Sequence, residues 1–290
     1  MPRGPFVDYL PGIPIEAGIG DPPMSGLWSG LPDRRSLDDV NINGRTIFIP
    51  GATSGIGLAL ALALHDKGNT VIVGGRRTEL LEQIAADHPD LGTFRIDTTD
   101  PDDITTTAKA VIAQWPDLDM LIPMAGIMRA EDWTRSGFAA GAQQVVETNL
   151  LGPIRLIDAF VDHLRSRSAA TILTVSSGLA FAPLKVTPTY NATKAAIHLL
   201  SESIRLQLAD TSIEVVELEP PSVATDLMPG QRESTFAMPL DEFIAEVIEL
   251  LETQPDATEI QVERVKFLRY GEARGDYDQV VSVLNESDPH

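Results

Sequence analysis

From residue 45 onward the chain alternates short, wholly apolar runs with longer segments of helical period, and this alternation narrows the folds open to it more than any other feature. "RTIFIPG", "TVIVGG", "TFRID", "DMLIPMAG", "ATILTVSS" and "SIEVVELEP" read as strands. Between them, "SGIGLALALALHDKG" reads as a helix that Gly68 can terminate, and "TELLEQIAAD" as a helix with Thr78 as expected N-cap and His88-Pro89 as stop. Asp100-Pro101 makes an N-cap and first-turn pair for "DDITTTAKAVIAQ". Longer helical patterns cover about 138–166 and 189–209. Strands apolar along their whole length need cover on both faces, which is the habit of parallel sheets. The expected fold is therefore α/β, a single doubly wound parallel-sheet domain over residues 39–290 with no internal linker.

Residues 1–38 carry Pro or Gly at roughly every third position and read as an irregular N-terminal arm. Phe6, Tyr9, Leu10, Ile13 and Leu27 give that arm apolar groups to bury, so a mobile extension and a packed arm both stay open. The chain has no cysteine, which excludes disulfides, thiolate nucleophiles and Cys-ligated metals. Forty-two acidic against 22 basic residues give a formal charge of −20, which disfavours nucleic acid and anionic membrane as partners. The start lacks an apolar targeting core, and runs such as "LALALAL" are too short to span a bilayer, so a cytoplasmic protein is expected.

"PGATSGIGLAL" follows the first strand and opens the first helix. Gly51, Gly55 and Gly57 suit a turn in which bare backbone approaches a phosphate at a helix N-terminus, although a glycine-spaced turn by itself is only a tight turn. At the end of the second strand an NAD site usually offers a carboxylate to the ribose. Here Gly75 stands there, followed by Arg76 and Arg77, whose guanidinium groups can pair with a 2′-phosphate. NADP(H) is therefore favoured, with NAD(H) as the alternative.

"PTYNATKAAIH" places Tyr190 and Lys194 four apart on one helix face. Four tyrosines and five lysines in 290 residues would give roughly 0.07 such pairs by chance, so the pair is informative. A neighbouring ammonium favours phenolate, and is expected to lower the Tyr190 pKa towards working pH, as proton exchange with a carbonyl or alcohol oxygen requires. Ser177 ends the strand "TILTVSS", at the sheet edge where ligands bind in this architecture, and can hold the substrate oxygen.

With these residues in order and at these spacings, together with Asn149 in "VETNLLGPI", the chain resembles the short-chain dehydrogenase/reductase family over about residues 43–265. "SSGLAFAPLKVTPTYNATKAAIH", "LEPPSVATDL" and "QVERVKFLRYGEARGDYDQV" resemble most the DltE-like bacterial oxidoreductases within it. The resemblance implies a Rossmann-type domain, Tyr190 as general acid/base, Ser177 positioning the substrate oxygen, Lys194 binding the nicotinamide ribose, and Asn149 holding a proton-relay water. It places Thr53, Ser54 and Ile56 of the glycine turn, with Ala125 and Gly126, on the cofactor. It also places Asp97 at the adenine, Thr225 near the nicotinamide amide and Val223 beside it. A lid loop is implied at about 221–240, and a homodimer or homotetramer is the usual assembly. Three departures stand out: Pro50 for Thr before the first glycine, Pro123-Met124 for the Asn pair before Ala125-Gly126, and Pro220-Pro221 for Pro-Gly. Family members commonly bond that Thr to the second Asn, so Pro50 and Met124 read as a swap of both partners of one bond. Pro123 removes a backbone donor close to the cofactor.

His65, His88, His163, His198 and His290 are scattered, never at ligand spacing, and no metal site is expected. Met228, Phe236 and Met238 lie in the lid, either against hydrophobic substrate bulk or merely packing the loop down. The expected activity is hydride transfer between NADP(H) and a small-molecule carbonyl/alcohol substrate. The alternative is a nucleotide-binding or regulatory module that keeps the fold without turnover.

Overall fold

The computed structural model describes residues 42–287. The expected arm and His290 lie outside the described residues. Seven strands form one sheet in the order β3-β2-β1-β4-β5-β6-β7, every pair parallel. They are β1 Thr46–Pro50, β2 Thr70–Gly75, β3 Gly92–Arg95, β4 Met120–Leu121, β5 Ala170–Val175, β6 Ile213–Leu218 and β7 Glu259–Ile260. The principal helices are α1 Gly55–Asp66, α2 Thr78–Asp87, α3 Pro101–Gln114, α4 Ala139–Val146, α5 Gly152–Arg165, α6 Pro188–Leu208 and α7 Leu240–Thr253, followed by the short α8 Lys266–Arg269, α9 Gly271–Arg274 and then α10 Tyr277–Ser287. None of the helices among the described residues is long and apolar enough to cross a membrane.

The two-residue period of a strand explains why β1 is apolar throughout. Ile47 and Ile49 enter one core with Leu60 and Leu64 of α1 and Phe243 and Val247 of α7. Phe48, pointing the other way, enters a second core with Ile104 of α3 and Leu156 and Phe160 of α5, its ring 5.5 Å from that of Phe160. Both faces are thus covered, as parallel pairing demands.

Four local readings are corrected. Arg77, not Thr78, is the extended residue before α2, and Thr78 is already helical, with no side-chain cap on that helix. The strand expected across "DMLIPMAG" pairs only at Met120 and Leu121. Continued by two residues, the β4–β5 register would set Pro123 against Thr174, and proline has no N–H to give. The long helix near 138–166 is broken by a π-helical turn at Glu147–Leu151. A seventh strand, β7, was not expected at all.

Asp100 caps α3 as its sequence suggests, accepting from the N–H groups of Asp102 at 2.9 Å and Asp103 at 3.2 Å. Asp100→Ala should cost about 1 kcal/mol, whereas Phe160→Ala, which opens a cavity in a closed core, should cost about 3–5 kcal/mol. Urea denaturation of both variants measures the difference; similar losses would mean that the second core is not close-packed.

Candidate active site

Strand order reverses between β1 and β4, and a crevice opens above the strand ends at such a point. The turn after β1 is tied to β2, with Gly51 N–H donating to the Gly74 carbonyl at 2.8 Å and Ala52 N–H to the same oxygen at 3.1 Å. Gly51 has φ 98°, and a Cβ there would lie 2.2 Å from the Ala125 nitrogen on the segment after β4. Only glycine fits both the conformation and the approach. Helix α1 then starts at Gly55 with neither a side-chain cap nor an acidic residue in its first turn, which leaves the positive end of its dipole open to an anion.

Arg77 leans across this turn. Its guanidinium donates to Thr53 Oγ1 at 2.6 Å and to Ser54 Oγ at 2.7 Å. Gly75 belongs to the same arrangement, because a Cβ at that position would meet Thr53 Cγ2 at 2.5 Å. A carboxylate could not stand there without displacing Thr53. Arg76 is 58% exposed and reaches Asp97 only at 4.0 Å. Burial works to raise the Asp97 pKa, but hydrogen bonds from Thr99 and the charges of Arg76 and Arg95 outweigh it and hold the carboxyl below its usual range.

Ser177, Tyr190 and Lys194 meet at the end of β5, all buried. Lys194 Nζ donates to the Val175 carbonyl at 2.8 Å and lies 5.6 Å from the centre of the Tyr190 ring. The expectation that Lys194 lowers the phenol pKa is corrected. Desolvation pushes Tyr190 up to about 12, the hydrogen-bonding Ser177 hydroxyl offsetting little of it. Desolvation also pulls Lys194 down to about 8 against the field of Glu217. Burial penalises both charged forms, and here it exceeds the mutual attraction.

Asn149 sits on the π-helical turn, where Nδ2 donates to the Ile127 carbonyl and Oδ1 accepts from Ile127 N–H, both at 2.8 Å. Nδ2 also reaches Thr193 Oγ1 of α6 at 3.4 Å. Asn149, Lys194, Ala125 and Pro123 line a cavity of about 10 Å³, about the space of one water. The loop expected to act as a lid is pinned where Ala224 N–H donates to the Met238 carbonyl at 2.9 Å and Met238 N–H to that of Ser222 at 2.8 Å. Val223 and Thr225 are buried at its base, and Thr225 Cγ2 would lie 3.6 Å from a Cβ at Gly55. Met228 and Met238 are buried and pack the loop down, while Phe236 is 59% exposed.

The family profile of short chain dehydrogenases matches residues 45–235. The chain is a short-chain dehydrogenase/reductase. A Bacillus subtilis relative, the uncharacterized oxidoreductase DltE, is 35% identical over 85% of this chain and 98% of its own length. A short-chain dehydrogenase from Streptomyces avermitilis superposes with TM-score 0.71 at 24% identity, covering 83% of this chain and 97% of that one. A Burkholderia cenocepacia dehydrogenase solved in complex with NADP gives the same score and identity over 83% of this chain and 98% of its own.

Within this dehydrogenase the unusual Pro50 and Met124 are accommodated together. The N–H groups of Met124 and Ala125 both donate to the Pro50 carbonyl, at 2.9 and 3.0 Å, and Met124 packs against the first core. No side-chain bond is needed where backbone supplies it.

The buried ammonium makes a pH prediction. Lys194 has a folded pKa of about 8 against an unfolded value of 10.5, so the unfolded chain binds more protons between those pH values. Stability from this group therefore rises with pH across that window. Lys194→Met should stabilise the ligand-free protein at pH 7, and the advantage should shrink from pH 8 to pH 10.5 in urea melts. An advantage independent of pH would contradict the assigned cause.

Proposed function

We propose that this dehydrogenase is an NADP(H)-dependent oxidoreductase acting on a carbonyl/alcohol pair. The observation that carries the reading is the convergence of Ser177, Tyr190 and Lys194 beside a glycine turn whose hydroxyls hold Arg77. The residues fit a nicotinamide dinucleotide: the Gly51 cradle has room for backbone only, and the α1 N-terminus is unneutralised. Arg77 is the group for a 2′-phosphate, and the steric bar at Gly75 keeps an NAD-type carboxylate away. The Burkholderia relative was solved with NADP and a Brucella melitensis 3-ketoacyl reductase with NADH, so the preference rests on Arg77 and Gly75 rather than on likeness.

When bound, such a cofactor supplies or accepts the hydride. With a pKa of about 12, Tyr190 is a phenol at neutral pH and is the proton donor to a carbonyl oxygen. Ser177 holds that oxygen and stabilises its growing negative charge. The Lys194 ammonium stabilises the phenolate that Tyr190 becomes on giving up its proton, and the cavity lined by Lys194 and Asn149 has room for one water through which that proton would be returned.

Two variants test this, using a carbonyl and alcohol panel followed by nicotinamide absorbance. Tyr190→Phe should lower turnover by about 10²–10⁴-fold with NADPH binding nearly intact; undiminished turnover would remove Tyr190 from the chemistry. Arg77→Ala should weaken NADPH by about 10–100-fold in calorimetric titration while leaving NADH binding in place. Equal losses for both cofactors would assign Arg77 to the turn rather than to a phosphate.

A further inference from the structure

Outside this site, the end of β6 and the residue after it carry two carboxylates that are fully buried. Glu217 and Glu219 continue the face of β6 that Ile213 and Val215 present to the second core, and both are 0% exposed. Glu259 of β7 stands opposite Glu217 in the sheet register, on the same face. From α6, His198 Nδ1 reaches the two Glu217 oxygens at 3.1 and 3.0 Å. One ligand atom from each of His198, Glu217, Glu219 and Glu259 can be chosen so that all four lie within 4.8 Å of one another.

The cluster is short of positive charge. Among these contacts Arg269 of α8 alone carries a fixed one, with Nε 3.5 Å from Glu219 Oε1 and Nη2 3.3 Å from Glu259 Oε2. Lys194, which feels the charge of Glu217, donates to the Val175 carbonyl instead. Glu219 Oε1 is buried with no hydrogen-bond donor reaching it, and Arg269 Nε is likewise without a hydrogen bond. Three buried or half-buried carboxylates are costly to keep together without a counter-charge.

We propose that His198, Glu217, Glu219 and Glu259 form a binding site for one first-row divalent cation of the zinc type. One imidazole nitrogen with carboxylate oxygens suits zinc, whose bonds to both atom types are close to 2.0–2.2 Å, and carboxylate spacings under 4.8 Å allow them to share one ion. The ligands come from α6, β6 and β7, and Arg269, stacked 4.2 Å over the Phe181 ring, covers the cluster from α8. The ion would tie the last strand to the helix that carries Tyr190 and Lys194. His198 therefore stands against the expectation that the histidines have no metal partners: ligand spacing along a sequence cannot show carboxylates arriving from two neighbouring strands.

The test is equilibrium dialysis of the full chain, first stripped with chelator, against Zn²⁺ alone, with Mn²⁺ and Mg²⁺ as comparators. One Zn²⁺ per chain is expected, displacing Mn²⁺ as the general affinity order of these ions requires, together with a rise in melting temperature. Glu219→Gln and His198→Ala should each weaken binding beyond the roughly 10–100-fold typical of losing an outer partner, while His88→Ala leaves it unchanged. X-ray absorption on the wild-type Zn²⁺ form, which needs no variant to fold, should show one imidazole among oxygen neighbours. Substoichiometric binding, binding indifferent to both ligand variants, or an oxygen-only shell would overturn the site and leave an adventitious ion only.

Discussion

A single hydrogen bond, from the Lys194 ammonium to the Val175 carbonyl, fixes the working geometry of this protein. It anchors α6 to the end of β5, and thereby sets Tyr190 one helical turn away over the Ser177 that follows the same strand. The bond satisfies an ammonium that the fold has otherwise taken out of water, where an unpaired charge would be untenable. Burial also fixes the resting protonation state. The phenol is pushed up to about 12 and the amine down to about 8, so at neutral pH the ring is uncharged while the nitrogen keeps its proton, and both are sensitive to any charge brought into the crevice. In low dielectric such a charge acts far more strongly than it would in solvent.

Glu217 extends this coupling beyond the site. Its field opposes the loss of the Lys194 proton, and the same carboxylate accepts from His198, one turn further along α6. Tyr190, Lys194 and His198 thus run down one face of a helix whose partners are the ends of β5 and β6. A rotation of α6 that freed one would misplace the others.

Much of this was legible in the sequence because it is written in local pattern. Apolar runs gave six strands, since burial on both faces leaves no room for alternation, and the spacing of Tyr190 and Lys194 gave their shared face. What escaped depends on what lies across from a residue. "SIEVVELEP" reads simply as an apolar strand, and its pattern does not reveal that Glu217 and Glu219 are fully buried, facing His198 of α6 and Arg269 of α8. The strand β7 is two residues long and has no periodicity to detect. The early end of β4 was visible as Pro123, but its consequence emerges only from the register that would set it against β5. The sign of the tyrosine shift was misread for a related reason: spacing reveals the cation, not how thoroughly both groups are desolvated.

The two arginines after β2 show the same limit in sharper form. On the sequence Arg76 and Arg77 are interchangeable, adjacent and equally charged. Arg77, however, gives donors to Thr53 and Ser54 and so is fixed over the turn, whereas Arg76 is largely exposed and meets only Asp97, at the edge of ion-pair distance. A guanidinium already ordered by neutral hydroxyls has lost much of its rotamer freedom before any ligand arrives and still carries its full charge. Under the proposed NADP(H) reading, the immobilised Arg77 is the residue to carry phosphate selectivity, and Gly75 helps immobilise it: without a side chain there, Thr53 can occupy the position from which it accepts. The absence of a side chain at position 75 and the placement of Arg77 are thus linked through Thr53, because a Cβ at Gly75 would lie 2.5 Å from Thr53 Cγ2.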